Sequence, residues 1–487
     1  MEAAVSAIAG ELLSRLISSI TKKYMHRAGR LDKKLERLQH LLLRVHTVVE
    51  EAEARCITSP RMLVQLKILV DGLYRGYYML DTFKFRPEHQ LIKTDENHVS
   101  NTSSLSFASP VKRFRITTST ANSTIDVHDL ESVLENLETI VANMTEFVIL
   151  LAGCQHIQHG PYGTYIYIDN FMFGRSVEKQ QIINILFQDD PPLGAPAVLP
   201  IIGGCYVGKK TLVGHVCHAK SVLSHFSSIV HLSADDIQRK NHKLFTHART
   251  LAVIQLFSDV DDDCWAKFYS STTCMGRGSK VVIISRLESV ARFGTMKPIR
   301  LNSLSHEEYV YLFKVLSFGS ANPENHPQLA SIGMEIARML RGLLLSSNVI
   351  AEMLRKNLNV QYWLHILKRF RNTVESNFCE FGEHPKLLVD KEHPVDITRF
   401  ASSSLRSSLR LMPTRVESRI LQKERSNVTF GDLIAGSSST TVLPKEEFEI
   451  VIWKSKLRPY TTFVATCAKQ KAQIISSSSK KRRGFDL

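Results

Sequence analysis

The chain has 487 residues, 44% of them apolar and 22% charged, a balance that supports folded cores and excludes wholesale disorder. Lys+Arg 62 against Asp+Glu 47 leaves a formal charge of +15, which favours anionic partners without choosing among nucleotides, nucleic acid and membrane surfaces. No window approaches the ~20 unbroken apolar residues of a membrane span, and the 8 cysteines are scattered without a CxxC pair, which argues against a disulfide scaffold and a zinc module.

The N-terminus MEAAVSAIAGELL is interrupted by Glu2 and Glu11 and has no basic n-region, so it reads as a poor signal peptide and the chain as intracellular and reduced. Val5, Ile8, Leu12, Leu16 and Ile20 keep a helical spacing. Leu31, Leu35, Leu38, Leu42, Val45 and Val49 lie in steps of four and three, which predicts a second amphipathic helix. Ser59-Pro60 opens a third, with Met62, Leu66, Leu69, Leu73, Tyr77 and Leu80 on one stripe. A polar, Ser/Thr-rich linker follows over about 86–123. The heptad Val127, Leu130, Leu134, Leu137, Val141, Met144, Val148, Leu151 predicts a fourth helix. An antiparallel bundle over 1–155 is the main reading; a coiled coil with another chain is the alternative.

From about Tyr165 the texture changes. The runs AVLPII, SSIVHLS, TLAVIQLF and KVVIIS alternate with helical stretches such as KTLVGHVCHAK and DDIQRKNHKLFTHA, the signature of a parallel sheet wrapped by helices over 165–300. Residues 301–372 return to helix. Beyond 373 the periodicity weakens into a poorly defined, partly disordered region with Ser-rich stretches. One ordered piece is expected there, around Phe448–Trp453, and the terminal KKRR reads as a solubilising tail, with a nuclear-import patch as the alternative.

The chemistry concentrates in VLPIIGGCYVGKKTLVGHV. A strand runs into Gly203, four residues, Gly208 and Lys209, and a helix begins there. Glycines let the backbone curl until successive N–H groups face an anion. The helix N-terminus adds partial positive charge, and the lysine reaches the phosphates. The hydroxyl that should follow the lysine to hold Mg²⁺ is replaced by Lys210, with Thr211 one residue late. His215, Cys217 and His218 lack a second ligand pair and read as an ordinary helix face.

These residues resemble the plant intracellular immune receptors of the coiled-coil NB-ARC class, over roughly residues 1–370. GGCYVGKKTL matches the register GMGGVGKTTL. FGRSVEKQQIINIL is similar to the entry segment, where Gly174 and Arg175 follow Phe173 at the adenine pocket. HFSSIVHLS resembles the strand after the first helix. GSKVVIISR resembles the sensor strand, whose terminal Arg286 faces the γ-phosphate position. LNSLSHEEYVYLF and RGLLL stand in the order of the first ARC helical subdomain, and RGYYMLDTF stands where an EDVID-like motif sits. The resemblance implies an α/β P-loop NTPase-like domain, preceded by an Rx-type four-helix bundle and followed by a helical ARC-like subdomain.

The departures carry as much weight. LFSDVDDDCW replaces the paired aspartates LDDVW: aligning Asp259-Val260 on the DV puts Ser258 at the first acidic position, and Asp261, Asp262 and Asp263 read as a solvated turn. Leu344 stands where a proline closes over adenine. No MHD motif, winged-helix signature or leucine-rich repeat is recognised, which reads as a truncated, degenerate receptor. The resemblance therefore implies a defence signalling protein that holds ADP, with ATP as the alternative ligand. Phe173, Gly174, Arg175, Gly203, Gly208, Lys209, Lys210, Thr211, Asp259, Arg286 and Leu344 would form the site, Mg²⁺ is disfavoured and hydrolysis impaired. Expected partners are other immune receptors, host proteins or a second copy, met through the helical N-terminal domain, in the cytoplasm or the nucleus. An active ATPase switch and a basic nucleic-acid binder are the competing readings; the latter lacks a readout motif and a stacking platform.

Overall fold

The computed structural model describes residues 30–85, 127–156, 172–188, 195–238, 247–401, 407–416, 428–436, 447–456 and 460–471. The stripe at 5–20, the 86–123 linker, the Ser-rich stretches and the KKRR tail lie outside them. The chain divides into two compact units, 1–162 and 163–487. No helix among the described residues is long and apolar enough to cross a membrane.

In the first unit, helix α1 (30–53) buries Leu38, Leu42, Val45 and Val49, as its stripe predicts. Ser59 caps α2 (Pro60–Lys84), accepting from the Met62 amide, and Met62, Leu66, Leu69, Leu73 and Leu80 are buried. Lys34 pairs with Glu131 and Arg37 with Glu138, while Arg55 donates to the carbonyls of Leu151, Ala152 and Cys154. These contacts align α1 in parallel with α3 (Val127–Asn143) and α4 (Thr145–Ala152). The Tyr77 hydroxyl lies 3.2 Å from His46, which sets α2 antiparallel to α1. The predicted fourth helix is thus two: the chain restarts at Met144, Phe147 takes the buried place, and Val148 is exposed.

The second unit opens with α5 (Ser176–Leu186) and a five-stranded parallel sheet in the order β2-β3-β4-β1-β5. Its strands are β1 (Ala197–Ile202), β2 (Ser228–Ser233), β3 (Thr250–Leu256), β4 (Lys280–Ser285) and β5 (Ile299–Arg300). Buried on both faces, the central strands read as unbroken apolar runs. Leu199, Ile201, Val253 and Ile284 pack with Leu212, Val213 and Val216 of α6 (Lys209–Cys217). On the other face Val198, Ile254 and Ile283 pack with Trp265 and Phe268 of α9 (Asp262–Ser271). Between them lie the short α7 (Lys220–His225) and α8 (Ala234–Gln238); the helix predicted across DDIQRKNHKLFTHA is described only as α8. Asp261 is not in a free turn: it caps α9, accepting from the amides of Asp263 and Cys264.

Four helices follow: α10 (His306–Phe318), α11 (Pro327–Leu340), α12 (Leu344–Lys356) and α13 (Val360–Phe381). Ser305 and Glu308 form a reciprocal capping box on α10. Trp363 is fully buried against Phe318, its indole N–H donating to the Leu354 and Asn357 carbonyls. Helix α13 continues past the expected end at 372. Beyond it, where a poorly defined region was expected, stand α14 (Pro385–Asp390), α15 (Thr398–Ala401) and α16 (Phe430–Ala435). With them runs an antiparallel sheet of β6 (Val395–Asp396), β7 (Ser407–Leu411), β8 (Arg415–Val416), β9 (Glu447–Lys454) and β10 (Thr462–Lys471). The expected piece at Phe448–Trp453 is β9. The partners of β10 are dispersed over 407–454, a non-local pairing that leaves little local signal.

Candidate functional site

Parallel register decides what meets at the sheet's carboxyl edge. Ile202 lies opposite Ser285 and Leu256 opposite Ser285, so Gly203, Phe257 and Arg286 leave their strands side by side. The Gly203 amide donates to the Ser285 carbonyl at 3.3 Å. A Cβ on Gly203 would stand 2.3 Å from the Leu301 carbonyl oxygen, so glycine is required there. Tyr206 and Gly208 take left-handed backbone (φ 55° and 93°), and Gly208 passes directly into α6. The turn therefore points toward the start of a helix whose first amides lack intrahelical partners.

The loop borders a cavity of about 780 Å³. Of the expected constellation, Phe173, Arg175, Gly208, Lys209, Lys210, Thr211, Arg286 and Leu344 line it. Gly174, Gly203 and Asp259 do not line it. Gly174 and Gly203 shape the backbone instead; Gly174 has φ 66° and sits against Leu304. Asp259 is exposed and accepts from Arg292 at 3.0 Å. Ser258 is absent from the lining too: the end of β3 presents Gln255 and Leu256, and Phe257 follows it, so none of these positions brings a carboxylate to the cavity.

Lys209 Nζ donates to the Gly203 carbonyl at 2.7 Å and to the Gly204 carbonyl, folding its charge over the loop. Burial pushes the ammonium pKa of both Lys209 and Lys210 below the ordinary lysine value. Arg175 is buried and spends its guanidinium on Glu178, at 3.4 Å, and on the Asn302 carbonyl, at 2.5 Å. Phe173 stacks on Tyr311 with ring centroids 6.0 Å apart. Leu344 is the first residue of α12 and gives the far wall an apolar edge.

The other wall comes from residues that local sequence could not nominate. Glu392, Thr414, Trp453 and Phe463 line the cavity from the C-terminal sheet and the turn before it. The Tyr206 hydroxyl donates to the Thr414 carbonyl at 2.7 Å, across 208 positions. Arg286 pairs with Glu392 at 2.5 Å, and that hydrogen bond raises the arginine pKa further. Among the described residues no cluster of three or more His, Cys, Asp and Glu could hold a metal.

Comparison with known proteins finds a matching domain model, several relatives and a solved structure. A model of the Rx N-terminal domain matches residues 5–115. Over 223 residues the chain is 26% identical to RGA4 of Solanum bulbocastanum, covering 40% of this chain and 22% of that protein. The disease resistance protein RGA2 of the same plant is 26% identical over 224 residues, covering 40% and 23%. The RPP13-like protein 1 of Arabidopsis thaliana is 23% identical over 405 residues, covering 74% and 37%. The chain thus spans well under half the length of these relatives. Among solved structures, domain III of the Thermotoga maritima replication initiation protein DnaA matches 44% of this chain and 99% of its own at TM-score 0.28 and 14% identity. With the Rx domain at its start and these relatives behind it, the chain is related to the NLR-type disease resistance proteins of plants.

Proposed function

We propose that this chain acts in plant innate immunity as a signalling and interaction protein, and that its P-loop unit holds an adenine nucleoside diphosphate without turning it over. The reading rests on one observation: the Gly203–Lys209 loop and the α6 N-terminus open onto a cavity lined by Lys209, Lys210, Thr211 and Arg286. Backbone amides, a helix terminus and the two lysines suit a diphosphate. Phe173 and Leu344 offer apolar surface to the base. The donor set does not suit Mg²⁺: Lys210 stands at the usual hydroxyl position, and the end of β3 leads into Phe257 and not a carboxylate.

The organisation we propose is a helical partner-binding domain over 1–155, the nucleotide domain over 165–300, a helical ARC-like subdomain from 301 to the end of α13 at 381, and a C-terminal region of short helices and sheet beyond it. The protein works in the cytoplasm, and its partners are other immune receptors or host proteins.

Calorimetry with ADP tests the reading. Binding should persist in EDTA, and Lys209→Ala should weaken it on the order of tenfold or more, the scale of one charged phosphate contact. With Mg²⁺ and ATP, phosphate release should not exceed that of Lys209→Ala. Binding lost on chelation, or turnover lost only in the variant, would contradict the metal-free, non-hydrolysing site.

A further inference from the structure

The turn between α14 and β6 carries a carboxylate into the cavity. Glu392 has left-handed backbone (φ 56°), a conformation costly for any residue with a Cβ. It is held there by backbone bonds on both sides: the Glu392 amide donates to Val389 at 3.1 Å and the His393 amide to Leu388 at 2.8 Å. The side chain lies 2.5 Å from Arg286, at the end of β4, and 3.9 Å from Cys205 Sγ, within the phosphate loop. Arg286 is itself 3.9 Å from that sulfur. Loop, arginine and carboxylate thus form one cluster beside the cradle.

We propose that Glu392 is a specificity-determining residue that restricts the site to diphosphates. The inference rests on the nucleotide reading above. A diphosphate seated on the loop amides and Lys209 needs nothing from Arg286. One further phosphoryl group reaching along the loop toward β4 must displace the Glu392 carboxylate from Arg286 or lie beside it. The first outcome breaks an existing ion pair, and the second places like charges together. Either way the penalty falls on the longer polyphosphate alone. The carboxylate is itself an internal anion on the cation that stands beside the loop at the end of β4. Both side chains are about two-fifths exposed, so the effect is that of a partly screened pair.

The test is calorimetry of the full chain in EDTA with ADP and with ATP, for the wild type and Glu392→Gln. The wild type should prefer ADP about two- to fivefold, and the variant should gain ATP affinity until the ratio approaches one, with ADP affinity nearly unchanged. Glu392→Gly removes the same charge and suits the left-handed backbone, so it serves if the glutamine variant folds poorly. An unchanged ADP/ATP ratio in a folded variant that still binds ADP overturns the role of Glu392 only. Failure of the wild type to bind either nucleotide overturns the nucleotide reading and this inference with it.

Discussion

At the scale of single residues, the two glycines that follow β1 make different demands. A methyl on Gly203 would meet the Leu301 carbonyl oxygen at 2.3 Å, and backbone cannot step aside cheaply. On Gly204 the nearest atom to such a methyl is Val207 Cγ1 at 3.7 Å, an ordinary contact. Gly203→Ala should therefore cost about 1–3 kcal/mol of stability, as overpacking does, and weaken ADP binding. Gly204→Ala should stay within about 1 kcal/mol of the wild type, in the range of tolerated surface changes. Chemical denaturation of both variants decides it; equal losses would mean that the Leu301 approach does not constrain the loop. Arg175 gives a second lesson at this scale. It lines the cavity, yet it is tied to Glu178 and two carbonyls, so it positions the wall more than it reaches for a ligand.

At the scale of elements, α14 depends on a neutral imidazole. His384 caps this helix, its Nδ1 accepting from the Lys386 amide at 3.0 Å, and the ring packs edge-on to Phe378. Burial takes its pKa from the ordinary 6.5 down to about 4, with Arg341 pushing the same way and the bond to the Met339 backbone opposing. His215 on α6 is driven to about 4 as well, by burial and then by Lys179 and His218. In each case the unfolded chain takes up a proton near pH 6.5 that the folded chain refuses until about pH 4. Stability therefore falls as pH drops through that window and is level above it. His384→Asn keeps a capping acceptor without a titrating ring. It should flatten the fall in Tm between pH 7 and pH 5, measured by thermal denaturation; an unaltered slope would show that His384 titrates as in the unfolded chain.

At the scale of the whole molecule, residues 1–162 and 163–487 hold separate cores. Two cores of different make-up, one packed from helices among its described residues and one built on a parallel sheet, have no reason to melt at one temperature. Scanning calorimetry of the full chain should resolve more than one transition. ADP at about 100 times its Kd should stabilise only the transition of the second unit, by about 2.7 kcal/mol. A single transition, or a shift of both together, would show that the units unfold as one.

What the sequence determined by itself was everything governed by local period and local backbone chemistry. The stripes at Leu38–Val49 and Met62–Leu80 dictate helices, because steps of three and four permit one buried face. The apolar runs at 197–202, 250–256 and 280–285 dictate buried strands, and Gly203, Gly208 and Lys209 announce the loop between strand and helix. Arg286 was legible through the resemblance of GSKVVIISR to a sensor strand, and parallel pairing is what brings its strand end beside the loop. What only the tertiary structure decided was the far wall of the cavity. Glu392 and Thr414 meet the loop from 187 and 208 positions away, and neither carries a periodicity or motif that points toward it. The same holds for β10, whose place between β7, β8 and β9 is set by long-range pairing. Phe257, and not Ser258, borders the cavity, and both lie beyond the last paired residues, Leu256 and Ser285, where no strand period indicates which side chain turns inward.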